Sequence, residues 1–285
     1  MEPKLPFEPA PAAGLDHTSF TDLLRQRRPE ALPITTFPST PLDAPHATTI
    51  LALRYETGVV IAGDRRATEG NAIAHRSIEK VFATDTHSAI AIAGTAGPAI
   101  EMTRLFQTEL EHYEKIEGER LTLEGKANKL SQMIRANLGL AMQGLAVVPL
   151  FAGYDDRSKT GRIFKYDVTG GRYEESDYWA TGSGGRDARA TIKKRYRVGI
   201  DRDEAVKVAL EALFDASEED AATGGPDVLR AIYPNIASIA EEGFVEIVDA
   251  DIASLFDALL EERRSGGRSQ RSDETVPEAR DRPQH

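Results

Sequence analysis

The stretch that decides the fold is TTILALRYETGVVIAGDRRATEGN, residues 48–71, in which two apolar runs flank a turn signal. ILALRY (50–55) and VVIAG (59–63) are short runs rich in branched side chains, and Glu-Thr-Gly separates them. Such runs on either side of a glycine-containing turn are typical of a β-hairpin. KVFATD (80–85) and SAIAIAG (88–94) repeat the arrangement, so the sequence predicts a second hairpin.

Helical patterns follow the two hairpins. One helix is predicted from about Pro98, because proline suits the first helical turn. Apolar spacings of three and four predict a second helix over about 122–145. A third is predicted to begin at Asp201, whose side chain can cap it, with Glu204 three residues on. The predicted apolar stripes are Leu105, Phe106, Leu110 and Tyr113 in the first helix and Leu123, Ala127, Leu130, Ile134, Leu138, Met142 and Leu145 in the second.

Further apolar runs predict strands at 149–155, 161–168, 177–182 and 244–249, with a short helix after the last of them. Hairpins imply antiparallel sheets. Helices in two separate groups suit two packed sheets with a helical layer on each outer face. We therefore predict an α+β fold, a four-layer αββα sandwich of two antiparallel sheets.

The predicted folded domain, residues 48–264, lies between two segments that can contribute little to a core. Residues 1–47 hold nine of the fifteen prolines, so we expect an extended or disordered leader with one short helix at 19–27. Residues 265–285 are almost entirely polar, and we expect a disordered tail there.

The composition excludes several classes of function. There is no cysteine, which rules out thiol catalysis, disulfides and zinc-thiolate sites. The net charge of −11 disfavours binding to nucleic acid and to anionic membranes. No apolar run approaches the roughly 18–20 residues of a membrane span, and the first residues lack the basic start and apolar core of a signal peptide. We expect a cytoplasmic protein that uses no metal or other cofactor.

The junction between Ala47 and Thr48 is the main chemical clue, because the proline-rich leader ends there and the first strand begins. Asp64 ends the second predicted strand and Lys80 begins the third, so both can lie near Thr48. A threonine hydroxyl needs a nearby base, and its own α-amine, once freed, has a pKa of about 8 and can serve as one. From spacing alone, a plain linker boundary and an ordinary Asp64–Lys80 surface pair remain possible.

The same stretch, with IEKVF (78–82) and AIAGTAG (91–97) after it, resembles the opening of a proteasome β subunit, and more narrowly the actinobacterial type. Further matches are ELEHYEKIEG (109–118), GYD (153–155), GSG (182–184) and DAATGGPD (220–227). The resemblance covers about residues 46–262. It implies the N-terminal nucleophile hydrolase fold and a threonine-type endopeptidase that becomes active when autocleavage before Thr48 removes residues 1–47.

The resemblance also implies a role for each matching residue. Thr48 matches the nucleophile, its freed α-amine the general base, and Asp64 and Lys80 the charged pair beside it. Gly94 matches the residue whose backbone N–H stabilises the oxyanion. The group that orients the nucleophile is matched by Ser183, Asp220 and Thr223. The specificity pocket is matched by Ala67, Ile78, Ile92, Ala96 and Ile100, all uncharged, so we expect a preference for apolar or aromatic side chains.

Two positions depart from the family pattern. Ala47 stands where many relatives have glycine, and alanine restricts the tight turn that self-cleavage needs, so we expect slower processing. Thr223 stands where serine is commoner; it keeps the hydroxyl and adds a methyl group.

The resemblance implies an assembly as well. Such β subunits form heptameric rings that stack between rings of α subunits, and an AAA ATPase delivers unfolded substrates, tagged in actinobacteria by the small protein Pup. The alternatives are a peptidase like bacterial HslV, a non-catalytic structural subunit of the β ring, another amidohydrolase of the same fold, and a binding module with a disordered leader. The complete set of Thr48, Asp64 and Lys80 argues against the non-catalytic subunit and the binding module.

Overall fold

The computed structural model describes residues 48–69 and 72–272, with side chains described as far as Ser265. The predicted leader at 1–47, including its helix at 19–27, and the end of the predicted tail at 273–285 lie outside the described residues.

Two five-stranded antiparallel sheets and a two-stranded ribbon make up the β structure of the described part. The first sheet has the order β10-β1-β2-β11-β12, the second the order β5-β6-β7-β8-β9, and β3 and β4 form the ribbon. The strands are β1 (Thr49–Tyr55), β2 (Gly58–Gly63), β3 (Ala67–Glu69), β4 (Ala72–His75), β5 (Val81–Asp85), β6 (Ser88–Gly94), β7 (Val147–Asp155), β8 (Thr160–Tyr166), β9 (Arg172–Glu175), β10 (Tyr178–Gly182), β11 (Asn235–Ala240) and β12 (Gly243–Glu246).

The helices form a layer on the outer face of each sheet. They are α1 (Ala96–Glu117), α2 (Leu123–Ala136), α3 (Leu138–Ala141), α4 (Gly185–Arg195), α5 (Arg202–Glu219) and α6 (Asp249–Ser272). Helices α1 and α2 pack on the second sheet, and α4 and α5 pack on the first. The predicted four-layer αββα sandwich is confirmed.

Strand β1 shows why the layers form. Its side chains alternate between two faces, as in any strand. Leu51 and Leu53 belong to the core between the first sheet and helices α4 to α6, whereas Ile50 and Ala52 belong to the core between the two sheets. All four are fully buried. The apolar run at the start of the domain is therefore buried on both faces. A strand with one solvent-exposed face would instead alternate apolar and polar residues.

Both predicted hairpins are confirmed. Strand β1 pairs with β2 from Ile50 opposite Gly63 to Tyr55 opposite Gly58, and β5 pairs with β6. The predicted cap of the third helix is also confirmed, since the Asp201 side chain accepts a hydrogen bond from the backbone N–H of Glu204 at 2.8 Å.

Two predictions about the early helices are wrong in detail. Helix α1 begins at Ala96, and its buried face carries Met102, Phe106 and Leu110 at intervals of four residues. Leu105 lies one helical step away from that face and is 52% exposed. The second predicted helix is broken at Asn137, which ends α2, and Met142 beyond the break is 58% exposed.

Some elements were not predicted at all. They are β3, β4, β9, β11 and α4. Helix α4 has few apolar residues, and only Ala188 and Ile192 supply its apolar contact with the core. In strand β11 the two isoleucines, Ile236 and Ile239, are three residues apart, so the run lacks the period of two that indicates a strand. Helix α6 continues through Ser272, past the domain boundary predicted at 264.

Candidate active site

Thr48 lies at the start of β1, between the neighbouring strands β2 and β10, and is 4% exposed. Its carbonyl oxygen accepts a hydrogen bond from the backbone N–H of Ser183 at 2.9 Å. The chain of β10 passes so close that a Cβ on Gly182 would stand 1.8 Å from the Thr48 carbonyl oxygen, and Gly182 has a φ of 98°. Glycine is therefore required at 182 to let the two backbones approach.

Asp64 is fully buried at the end of β2 and accepts hydrogen bonds from four donors in four parts of the chain. One oxygen accepts from the Lys80 Nζ at 2.6 Å and from the Thr49 backbone N–H at 2.8 Å. The other accepts from the backbone N–H groups of Arg66 at 2.9 Å and Gly224 at 2.8 Å. Both oxygens of this buried carboxylate are therefore satisfied by hydrogen bonds, one of them from a lysine ammonium.

Lys80 stands just before β5, and it is 4% exposed. Its Nζ donates to Asp64 and also to the backbone carbonyl of Arg66, at 2.6 Å in each case. Burial lowers the pKa of the Lys80 ammonium below its usual value, although the Asp64 carboxylate opposes that shift. The site thus holds a cation whose proton is less tightly bound than that of a surface lysine.

Asp220, Thr223 and Ser183 lie together beside the Thr48–Thr49 segment. The Thr223 hydroxyl donates to the Asp220 carboxylate at 2.6 Å. Partial burial favours the neutral form of Asp220, but hydrogen bonds from the Ser183 and Thr223 hydroxyls and from nearby backbone N–H groups outweigh it, so the pKa of Asp220 lies below its ordinary value. The structure brings these three predicted residues together.

The predicted pocket residues line one cavity. Thr48, Lys80 and Gly94 are on its wall, and so are all the residues expected to form the specificity pocket, namely Ala67, Ile78, Ile92, Ala96 and Ile100. Ala99 and Glu79 also line it and were not predicted. Gly94 has a φ of 117°, and a Cβ there would lie 2.1 Å from the Ala146 carbonyl oxygen, so this position also requires glycine.

Sequence reasoning missed several residues that support the site. Thr49, Gly184 and Gly224 each supply a hydrogen bond to the residues named above or to their partners. The two glycines lie in the motifs GSGG and TGGPD, but the sequence of each motif is equally typical of an ordinary glycine-rich turn. A buried backbone donor leaves no other trace in a sequence.

Within the described ranges, no helix is long and apolar enough to cross a membrane. The same residues contain no group of three or more His, Cys, Asp and Glu side chains placed to hold a metal ion.

Comparison with known proteins places the chain in a family. The family model described as proteasome subunit matches residues 44–231. A proteasome subunit beta of Acidimicrobium ferrooxidans is 56% identical over 260 residues, covering 90% of this chain and 94% of the relative. One from Jonesia denitrificans is 56% identical over 249 residues (86% and 82%), and one from Streptomyces griseus is 54% identical over 260 residues (89% and 92%). With this identity sustained across nearly all of both chains, the chain belongs to the proteasome subunit family, as a β subunit of the actinobacterial type.

Proposed function

We propose that this chain is a catalytic β subunit of a 20S proteasome, a threonine endopeptidase that becomes active when autocleavage between Ala47 and Thr48 frees the Thr48 α-amine. The observation that supports this most is the placing of Thr48 on the wall of a largely apolar cavity with Lys80 and Gly94. Asp64, which pairs with Lys80, holds the strand that begins beside Thr48.

Activation requires one acyl shift and one hydrolysis. The Thr48 hydroxyl oxygen adds to the carbonyl carbon of Ala47, and its proton passes to the Thr48 nitrogen as the Ala47–Thr48 C–N bond breaks. The resulting ester joins Ala47 to the Thr48 oxygen. Water then hydrolyses the ester, which leaves a carboxylate on Ala47 and both a free hydroxyl and a free α-amine on Thr48. Until then the base is locked in a peptide bond and the site is inert.

Peptide hydrolysis then uses the same atoms on a substrate. The α-amine accepts the proton of the Thr48 hydroxyl, and the oxygen attacks the scissile carbonyl. The backbone N–H of Gly94 stabilises the developing oxyanion. The protonated amine returns its proton to the departing amine of the substrate, and water hydrolyses the acyl ester. The Lys80 ammonium lies on the same cavity wall, and its positive charge keeps the neighbouring α-amine largely neutral, the form that accepts a proton.

The cavity lining supports a preference for substrates with an apolar or aromatic side chain before the cleaved bond. Ile78, Ile92 and Ile100 make most of the wall apolar. Glu79 contributes a carboxylate to the lining, but its side chain is 61% exposed and lies 4.0 Å from Arg65. Away from Thr48 and Lys80, the buried part of the pocket therefore presents hydrocarbon to a substrate.

As a β subunit the chain assembles with other proteasome subunits. We further propose heptameric β rings stacked between α rings, in the cytoplasm, with an AAA ATPase that delivers unfolded Pup-tagged proteins. A non-catalytic ring subunit would not need an intact Thr48, Asp64 and Lys80 set, and here the last two are in direct contact at 2.6 Å.

Replacing the nucleophile tests the proposal. Thr48→Ala, co-expressed with an α subunit, should retain its leader and hydrolyse an apolar fluorogenic peptide at the background rate, because no hydroxyl remains to attack. Thr48→Ser is the matched control, since it keeps a hydroxyl and should retain measurable processing and hydrolysis. Hydrolysis by Thr48→Ala at the wild-type rate would place the nucleophile elsewhere.

A further inference from the structure

We propose that Thr49, the residue after the nucleophile, is a positioning residue that holds Thr48 in place through its buried hydroxyl. The inference rests on the proposed role of Thr48. Thr49 has no exposed surface, so its own hydroxyl cannot reach a substrate. Its hydroxyl is instead bonded on both sides, 2.7 Å from the Thr223 hydroxyl and 2.9 Å from the backbone N–H of Gly184.

The protons in this chain of bonds can be assigned. Asp220 is a carboxylate that accepts from Thr223 at 2.6 Å, which uses the single proton of the Thr223 hydroxyl. Thr49 must therefore be the donor in the 2.7 Å contact with Thr223. Thr49 in turn accepts from the backbone N–H of Gly184. The sequence of donors runs from Gly184 through Thr49 and Thr223 to Asp220, and both hydroxyls are satisfied.

The backbone of Thr49 is held as firmly as its side chain. Its N–H donates to the Asp64 carboxylate at 2.8 Å, and its carbonyl oxygen accepts from the Asp64 N–H at 3.0 Å. The peptide unit between Thr48 and Thr49 is planar. Its oxygen is held by Ser183 at 2.9 Å and its N–H by Asp64, so the plane that carries the Thr48 Cα has little freedom.

The Thr49 hydroxyl matters because its hydrogen-bond donor, Gly184, belongs to the segment that holds Thr48. Gly184, its donor, follows Ser183 directly, and the Ser183 N–H is the group that holds the Thr48 carbonyl. There is no spare room, since a Cβ on Gly184 would lie 2.7 Å from the Thr49 hydroxyl oxygen. Loss of that hydroxyl would leave the buried N–H of Gly184 without its acceptor and release the 183–184 segment, while the Thr223 hydroxyl would keep only its bond to Asp220. The consequence would be a displaced nucleophile.

The test uses the full-length chain co-expressed with an α subunit. Peptidase rates are divided by the amount of processed subunit, which intact-mass measurement gives. Thr49→Val removes the hydroxyl at nearly constant volume, and kcat should fall about 10- to 100-fold with KM changed much less, because the defect is one of alignment. Thr49→Ser keeps the hydroxyl and should stay within about 3-fold of the wild-type kcat.

Thr191→Val is the matched control. Thr191 lies on helix α4, away from the cavity, and it is also buried and donates to a carboxylate, that of Asp215, at 2.6 Å. Its kcat should remain within about 2-fold of wild type.

A double-mutant cycle separates positioning from general loss of stability. If Thr49 and Thr223 act as one chain of hydrogen bonds, Thr49→Val combined with Thr223→Val should lower kcat no further than the worse single variant. A wild-type kcat in Thr49→Val, or fully additive losses in the double variant, would overturn the inference. The proposed function would still stand in either case, provided that Thr48→Ala is inactive. Should Thr49→Val fail to fold, Thr49→Ser decides the matter, because a large loss there would show that the methyl group is what counts.

Discussion

At the scale of single residues, Asp220 offers a test of electrostatics that does not depend on activity. Hydrogen bonds hold its pKa below the ordinary value, so the folded state favours the charged form. Such a group stabilises the fold above its unfolded pKa of about 3.9, and that contribution is lost as the pH falls through the folded pKa. Asp220→Asn should therefore be less stable than wild type near neutral pH.

The same linkage predicts the pH dependence of that difference. The gap in melting temperature between wild type and Asp220→Asn should shrink as the pH is lowered below about 4, because Asp220 becomes protonated in the folded protein too. Thermal melts of both proteins over a series of acidic buffers would measure it. A gap that stays constant down to the lowest pH would show that the carboxylate charge contributes nothing.

The roles of the site residues were expected from the resemblance to proteasome β subunits. Spacing alone placed Thr48, Asp64 and Lys80 at strand boundaries and left a plain linker boundary and an ordinary surface pair as alternatives. Thr49 was not conspicuous, because a threonine inside a strand has an ordinary packing explanation. Its role depends on Gly184 and Thr223, which are far away in sequence and close only after folding.

At the scale of elements, the junction of β6 and α1 forms one wall of the cavity. Gly94→Ala would need a φ of 117° and would place its Cβ 2.1 Å from the Ala146 carbonyl oxygen, so we expect β6 to shift and peptidase activity to fall steeply. Gly97→Ala is the matched control three residues on, where a Cβ meets no atom within 4 Å. It should keep its activity and match or exceed wild-type stability by up to about 1 kcal/mol.

Peptide hydrolysis and urea unfolding of the two alanine variants would measure both effects. Equal activity in Gly94→Ala and Gly97→Ala would contradict the close approach of β6 to the 146–147 segment. The contrast is informative because the two substitutions are chemically identical and differ only in their surroundings.

Helices and strands were predictable where the apolar pattern was strong and extended over many residues. The hairpins β1–β2 and β5–β6 have dense apolar runs and clear turns, and the structure confirms them. Helix α4 was missed because small and charged residues dominate it, and β11 because small and polar residues outnumber its two isoleucines. Tertiary contacts rather than local pattern determine the structure of both elements. The break at Asn137 was missed because the apolar spacing continues across it.

At the scale of the whole molecule, helix α6 closes one outer layer. Its own Ile252, Phe256 and Leu259 are buried in the core between the helices and the first sheet. Arg263 binds Asp215, and it also lies 3.5 Å from Glu211 and 3.4 Å from Glu218, all on α5. This helix therefore fastens the end of the described chain to the core.

Truncation separates the part of α6 that packs from the polar part that follows. Ending the chain after Arg264 should leave the free energy of unfolding within about 0.5 kcal/mol of wild type, because the sequence lost is almost entirely polar. Ending it after Ala258 removes Leu259 and Arg263 and should cost about 2–5 kcal/mol. Urea unfolding of both truncated chains measures the difference, and equal stability would mean that the Leu259 and Arg263 contacts contribute little.

The proposed activation depends on cleavage of the bond between Ala47 and Thr48, and the mass of the assembled chain shows whether that cleavage occurs. After co-expression with an α subunit, intact-mass measurement and N-terminal sequencing should find a mature β chain that begins at Thr48. A time course should show that replacing Ala47 with glycine speeds the conversion. A chain that remains full length in assembled particles, or that matures at another residue, would contradict the account.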